Sequence, residues 1–329
     1  MHSSNYLCSY FCSKFVPFLV VLLVFFVTGC NQTDEVVTPG NVTNIETNGS
    51  LTPTSHSSVE GSLFVTDQEG NPVTISTGDV SAVMTWASDD PSASSNGTVT
   101  LTSSSNQHIA SAITMDYSGS MHTPTTLIPC METGVTAYIN RMHHGDLAEL
   151  IKFSTDVAVV QNFTTSKPDL LNAVTSNSPT GGTTALYQSI YKATMDVSGQ
   201  SNNCLRTVIA FTDGAENHST ISRADMITEA LTHGIPIFTV TLLNSGADPQ
   251  DMQGISDTTG GFAFTVEPDS CEIIENVYEQ INTQVNNAYS YTITWPISEM
   301  PPSGTTVTVT ISVNYKGLIS SFEKTFRLP

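Results

Sequence analysis

A chain of 329 residues, 39% apolar and 12% charged, has the bulk composition of a soluble globular protein, with room for two domains or one large domain with appendages. Thirty acidic against ten basic residues give a formal net charge of -20, which argues against nucleic acid as a partner, because that requires clustered Lys and Arg. The acidity itself reads as solubility.

Residues 1–29 read as an export signal. Lys14 precedes an apolar run over 15–27, too short to span a bilayer comfortably and right for a signal-peptide core. The run ends V-T-G-C at 27–30. Small residues followed at once by cysteine resemble a bacterial lipobox. That resemblance implies cleavage before Cys30, a lipid on the new N-terminal cysteine, and an anchor to a membrane surface of the bacterial cell envelope, on its periplasmic or cell-surface face, without a spanning helix. The alternative is an ordinary cleaved signal with an incidental cysteine. Residues 30–58, rich in Thr, Asn, Gly, Ser and Pro, read as a flexible tether.

Residues 59–105 change character. Strand signals occur at 62–66, 79–86 and 98–102, with turn chemistry (D-Q-E-G-N-P) at 67–72. Strands then alternate with helices over 106–287. The strands are expected at 108–115, 147–153, 157–163, 205–212, 235–242 and 261–266. The helices are expected at 129–141, 167–175, 184–195, 223–233, 249–257 and 268–286. This alternation predicts an α/β domain with a doubly wound, mostly parallel sheet covered on both faces. Residues 288–329 return to strand patterns at 289–295, 305–314 and 320–328. Each β region is small for a stable unit, so the two are expected to pair in one β-sandwich that carries the α/β domain as an insert. Two independent small β units are the alternative.

Within the α/β region, 111–121 reads S-A-I-T-M-D-Y-S-G-S-M, an apolar strand emptying into Asp116, Ser118 and Ser120. Ligands of open α/β sheets sit beyond the carboxyl ends of the strands. Hard oxygen groups on one tight loop suit a small divalent cation. The stretch P-T-G-G-T-T-A-L at 179–186 puts Thr183 at a Gly-Gly turn before a helix, and L-R-T-V-I-A-F-T-D-G-A-E at 205–216 ends another strand in Asp213. Taken singly, these residues have bland roles as turn hydroxyls, local caps and an Asp-Gly turn.

Together, and in order, the five resemble the metal-ion-dependent adhesion site of the von Willebrand factor A domain, over about residues 108–287. The resemblance implies that fold, with Mg²⁺ (or Mn²⁺ or Ca²⁺) at Asp116, Ser118, Ser120, Thr183 and Asp213. It implies a vacancy taken by a carboxylate of a protein partner, and hence adhesion rather than catalysis. It further implies that the first and last helices are neighbours starting at the metal end, which makes a Cys130–Cys271 disulfide possible with Cys204 then left over; three free thiols are the alternative. Tyr117 and Met121 are expected to rim the binding face, and Glu216 to be a solvated loop acid or to stand behind the metal ligands. His122 and His218 are not counted as ligands, since imidazole favours softer metals. Neither G-x-S-x-G nor H-E-x-x-H occurs, which favours a non-enzyme. A subunit of an exported envelope assembly (secretion, pilus or chaperone-like) and a metal-dependent hydrolase are the other readings.

Overall fold

The computed structural model describes residues 42–87, 93–103, 107–201, 204–267 and 271–329. The expected export signal, the expected lipidation site Cys30 and the start of the expected tether lie outside the described residues. Strands β1 (Ile45–Gly49), β2 (Thr52–Ser55), β3 (Ser58–Asp67), β4 (Val80–Trp86) and β5 (Ser94–Ser103) precede the α/β unit. The α/β strands are β6 (His108–Asp116), β7 (Leu147–Phe153), β8 (Val157–Thr164), β9 (Cys204–Gly214), β10 (Ile237–Gly246) and β11 (Ala263–Val266). Strands β12 (Tyr289–Thr294), β13 (Thr306–Tyr315) and β14 (Leu318–Arg327) close the chain. Its main helices are α1 (Leu127–Arg141), α2 (Lys167–Val174), α3 (Leu186–Ser198), α4 (Arg223–His233), α5 (Pro249–Thr259) and α6 (Cys271–Asn286).

The flanking strands alternate as one-sided strands must. In β13, Val307, Val309, Ile311 and Val313 are buried and the residues between them are not. These segments do pair across the insert, β12 lying between β3 and β5 and β13 lying against β4. They do not form the expected β-sandwich. All eight strands belong to one antiparallel sheet, ordered β1-β3-β12-β5-β4-β13-β14 with β2 beside β3. The sheet curls until its edges approach: Thr47 of β1 donates its N–H to Ser320 Oγ of β14 at 3.1 Å, and the two hydroxyls lie 2.9 Å apart. Strand twist allows this curling, which wraps a single apolar face around Leu63, Met84, Ile293, Trp295 and Val309 without a second sheet. Part of the stretch expected to be tether is folded instead: β1 and β2 lie within it, and Ile45 and Leu51 are core residues. Two isolated apolar side chains in a polar stretch are too few to register as a strand pattern.

β5 ends at Ser103 directly opposite Tyr289, where β12 begins. The α/β unit therefore stands where a hairpin turn would join two neighbouring strands. Its six-stranded sheet runs β11-β10-β9-β6-β7-β8, parallel except for the antiparallel β7–β8 pair, so the sheet is mixed. Central β6 is buried from Ile109 to Asp116, as a strand covered on both faces should be. Helices α1, α2 and α6 pack on one face, over Ile113, Met115, Phe211 and Phe238. Helices α3, α4 and α5 pack on the other, over Ala112, Ile151, Val208 and Ile237. Gly234, at φ 62°, stops α4 in the left-handed conformation that glycine adopts without a Cβ penalty.

Cys130 in the first turn of α1 and Cys271 at the start of α6 are joined by a disulfide, with Cα atoms 4.6 Å apart, and Cys204 is a free, half-buried thiol. The same two helices cross closely at Gly134, where an added Cβ would lie 2.6 Å from Tyr278 Cδ2 and 2.8 Å from Ile274 Cγ2. Gly134→Ala tests this crossing. Alanine in a helix interior gains about 1 kcal/mol over glycine, whereas overpacking costs about 1–3 kcal/mol. Tyr278 is wholly buried and has no open side to retreat to. The expected result is a net loss of up to about 2 kcal/mol in urea unfolding; a stabilised variant would show that the crossing is loose.

Candidate metal centre

Parallel pairing of β7, β6, β9 and β10 brings their carboxyl ends to one edge of the sheet. Asp116 is the last residue of β6, and Asp213 is the penultimate residue of adjacent β9. Beyond Asp116 the chain turns at once. Tyr117 N–H is held by Phe153 O at 2.7 Å, and Ser118 N–H donates to Asp116 Oδ1 at 2.7 Å, the local side-chain-to-backbone bond that Asp makes in turns. A single 3₁₀ turn, Gly119–His122, follows. It brings Ser118 Oγ and Ser120 Oγ within 3.2 Å of each other, and Ser120 Oγ donates to Asp213 Oδ1 at 2.6 Å. Each carboxylate has an outer partner as well. Thr212 Oγ1 donates to Asp116 Oδ2 at 2.6 Å, and Asn244 Nδ2 on β10 donates to Asp213 Oδ2 at 2.9 Å.

The loop between α2 and α3 supplies the fifth residue. Buried Lys152 fixes its entrance by donating to Val174 O and Ser176 O, both at 2.7 Å. Its exit is fixed by Ala185 N–H to Ser154 O at 2.9 Å and Thr184 N–H to Asn217 Oδ1 at 2.8 Å. A Cβ on Gly119 would stand 3.2 Å from Gly182 O, and one on Gly214 would stand 3.3 Å from Ser120 Oγ and 3.5 Å from Thr184 Oγ1. The three loops therefore abut. Asp116, Ser118, Ser120 and Asp213 form one hydrogen-bonded cluster. Thr183 stands on the adjoining loop with its hydroxyl 2.7 Å from Thr155 Oγ1.

Asp116, Ser118 and Asp213 have no exposed surface, while Ser120 and Thr183 are half-exposed, so the cluster opens to solvent on their side. Among the described residues, no lysine or arginine forms an ion pair with either carboxylate. Buried anions without a counter-charge are costly, and the usual response is to take up a proton. Burial pushes the Asp116 carboxyl up to about 6, against the hydrogen bonds from Thr212 and Ser118, with the negative charge of Asp213 adding to the rise. A cation answers the same need. Oxygen ligands at about 2.0–2.1 Å in an octahedron stand about 3 Å apart along an edge. The Ser118–Ser120 and Ser120–Asp213 oxygen separations of 3.2 and 2.6 Å bracket that spacing. Ser154 Oγ, at the end of β7, is buried with no hydrogen-bond partner. No trio of His, Cys, Asp or Glu gathers among the described residues. An all-oxygen set of two carboxylates and several hydroxyls fits a hard divalent cation.

Other expectations for this edge change. Tyr117 and Met121 do not rim the face; both are buried. Tyr117 points down from the turn, donates to Glu132 Oε1 at 2.8 Å and stacks beneath Lys152 Nζ, 4.7 Å from its ring centre. Glu216 is neither a free loop acid nor part of the cluster. It caps α3, accepting from Tyr187 N–H at 2.9 Å and from Ser219 N–H and Oγ at 2.5 and 2.6 Å. Thr155, Thr212 and Asn244 were not singled out from the sequence. Thr212 adjoins Asp213 and was open to notice, whereas Thr155 and Asn244 become visible only once the loops are placed.

The family model described as von Willebrand factor type A domain matches residues 111–216, a stretch that contains all five residues. No curated protein matches the chain. Among solved structures, proximal thread matrix protein 1 from the mussel byssus, with a zinc occupied MIDAS motif (the metal-ion-dependent adhesion site), is 17% identical with a TM-score of 0.51; the match covers 59% of this chain and 49% of that one. The chain thus spans about half the length of the mussel protein. A von Willebrand factor type A structure from Catenulispora acidiphila is 10% identical with a TM-score of 0.49, covering 86% of this chain and 72% of that one. The vWF domain of the type V pili tip protein Mfa5 from Porphyromonas gingivalis is 12% identical with a TM-score of 0.45, covering 54% and 96%. Residues 111–216 thus match the von Willebrand factor type A domain model, and the α/β unit around them is similar in fold to the mussel protein.

Proposed function

We propose that the α/β unit is a non-enzymatic binding module that holds a divalent cation at Asp116, Ser118, Ser120, Thr183 and Asp213 and engages a carboxylate of a protein partner through it. The observation that carries this reading is the pair of wholly buried carboxylates on adjacent strands, bridged by serine hydroxyls and lacking a cationic side chain. Mg²⁺ suits the all-oxygen set best, with Mn²⁺ or Ca²⁺ as substitutes. Zn²⁺ belongs among the ions tested, because the mussel protein's motif is described as zinc occupied. The two aspartates supply the negative charge, and Thr212 and Asn244 fix their orientation. The serine and threonine hydroxyls are neutral, so they leave part of the cation's charge for an incoming acid to neutralise. We further place the protein at the bacterial cell envelope, anchored through lipid on Cys30. The V-T-G-C sequence supports this, and no described helix is long and apolar enough to cross a membrane.

Isothermal titration and thermal unfolding test the cation. Mg²⁺ is expected to bind one site and raise the unfolding temperature, and chelator should reverse the shift. At a free concentration of about 100 times Kd the gain is about 2.7 kcal/mol. Ser120→Ala and Thr183→Ala should each weaken uptake about tenfold, the loss of one charge-assisted contact, without unfolding the apo protein. No heat and no chelator-sensitive shift with Mg²⁺, Mn²⁺, Ca²⁺ or Zn²⁺ would contradict the reading.

The pH dependence has a definite sign. The Asp116 carboxyl lies at about 6 in the fold, above its ordinary value of 3.8. The metal-free fold therefore holds a proton that the unfolded chain has lost, and its stability should fall as pH rises from about 4 through about 6. Cation and proton compete for the same oxygens. Mg²⁺ affinity should accordingly be flat above pH 7 and drop steadily as pH falls below about 6. Affinity that is unchanged from pH 7.5 to pH 5 would show that Asp116 does not take part.

A further inference from the structure

The loops at the carboxyl ends of the α/β strands form the face onto which the cluster opens. Their chemistry is lopsided. Next to Ser120 and Thr183, residues 175–185 read T-S-N-S-P-T-G-G-T-T-A, with hydroxyls and no charge. Farther out stand carboxylates: Asp156 after β7, Glu216 after β9, Asp248 and Asp251 at the start of α5, and Glu267 after β11. The described residues of these loops contain no lysine, and their one arginine, Arg223 at the start of α4, is already paired with Asp251, whose other oxygen accepts from Tyr187. A floor without exposed charge, with the buried Lys152 held beneath it by Val174 O and Ser176 O, is thus bordered by the carboxylates of Asp156, Glu216, Asp248 and Glu267, which have no ion-pair partner among the described residues.

We infer that this face selects a partner whose acid group is isolated within a cationic surface and rejects acid-rich surfaces. The inference rests on the proposed metal bridge and adds the chemistry of the partner's surroundings. The central site draws a carboxylate at contact distance. The outer carboxylates act over about a Debye length, roughly 8 Å at physiological salt, where opposite charge speeds encounter and like charge slows it. Discrimination therefore comes from two shells of opposite sign. An acid-rich segment satisfies the inner shell and is repelled by the outer one. A basic segment without an acid is attracted by the outer shell and has nothing to offer the inner one. The net charge of -20 reinforces the outer term at low ionic strength.

The full chain, saturated with Mg²⁺, can be titrated against three short peptides of equal length. One carries a central aspartate between lysines, one the same aspartate between glutamates, and one asparagine between lysines. The first is expected to bind about tenfold more tightly than either of the others, with the advantage over the glutamate peptide shrinking as salt is raised. Chelator should remove its advantage over the asparagine peptide. Asp156→Lys combined with Glu267→Lys, two exposed positions outside the cluster, should erase most of the preference for lysine flanks, measured with free Mg²⁺ raised until the site is again saturated, since the added positive charge also weakens Mg²⁺ uptake. Equal Mg²⁺-dependent binding of both aspartate peptides, or a preference for glutamate flanks, overturns this inference and leaves the metal bridge standing. Equal binding of the aspartate and asparagine peptides overturns it as simple charge attraction. Mg²⁺ uptake with no peptide bound overturns it too, whereas absence of Mg²⁺ uptake marks the failure of the proposed function itself.

Discussion

Two carboxylates buried side by side, with only hydroxyls and amides to answer them, set the terms for the α/β unit. Asp116 and Asp213 lie at the ends of adjacent strands and have no exposed surface. Their mutual repulsion and loss of hydration cost free energy in any fold that leaves them unpaired. The surrounding chain lessens this by hydrogen bonds from Ser118 N–H, Ser120 Oγ, Thr212 Oγ1 and Asn244 Nδ2, every one donated by a neutral group. A lysine in the same place would satisfy the charge permanently. Neutral donors leave the cluster dependent on a proton or a cation, which separates it from a structural ion pair and supports the proposed metal site.

The rest of the fold keeps these loops in register. Lys152, buried beneath the turn, ties the end of α2 to β7 and so sets the approach of the loop bearing Thr183. Tyr117 links the first metal loop downward to Glu132 on α1. Helix α1 is joined to α6 by the Cys130–Cys271 disulfide and by the close crossing at Gly134. On the far side, Lys324 of β14 donates to Asp257 O and Thr258 O near the end of α5, a cation placed on carbonyls that the helix leaves open. Asn48 of β1 donates to Gly261 O at 2.7 Å. The curled sheet therefore grips the α/β unit along α5 and the approach to β11, as well as at the β5–β12 junction where the chain passes in and out.

Much of this was legible from residues alone, for a physical reason. Long apolar runs that end in a polar turn, such as 108–116 and 204–214, advertise buried parallel strands, and the alternation of strand and helix fixes the layer order. The proximity of four of the five candidate residues was readable because Asp116, Ser118, Ser120 and Asp213 sit at or just beyond the ends of adjacent strands, where topology leaves little choice of position; Thr183 stands on the loop between α2 and α3. What escaped depended on curvature and side-chain direction. Nothing local distinguishes a sheet that faces a second sheet from one that curls on itself, so the β-sandwich became a nearly closed single sheet. β1 carries only one wholly apolar position, Ile45, and passed as tether. Tyr117 and Met121 occupy the loop but point into the core, and Thr183 sits beside Thr155, a partner in a loop some thirty residues earlier. Glu216 was read by its place after Asp213, when its work is to cap α3.

The account stands most directly on where a cation sits. Crystals of the protein grown with Mn²⁺ and measured at the manganese absorption edge would locate it by anomalous scattering. The account predicts one peak at the edge of the six-stranded sheet, within about 2.2 Å of Ser118 Oγ and Ser120 Oγ, with the Thr183 hydroxyl turned from Thr155 toward it. No peak at that edge, or manganese bound only at the outer carboxylates, would contradict it.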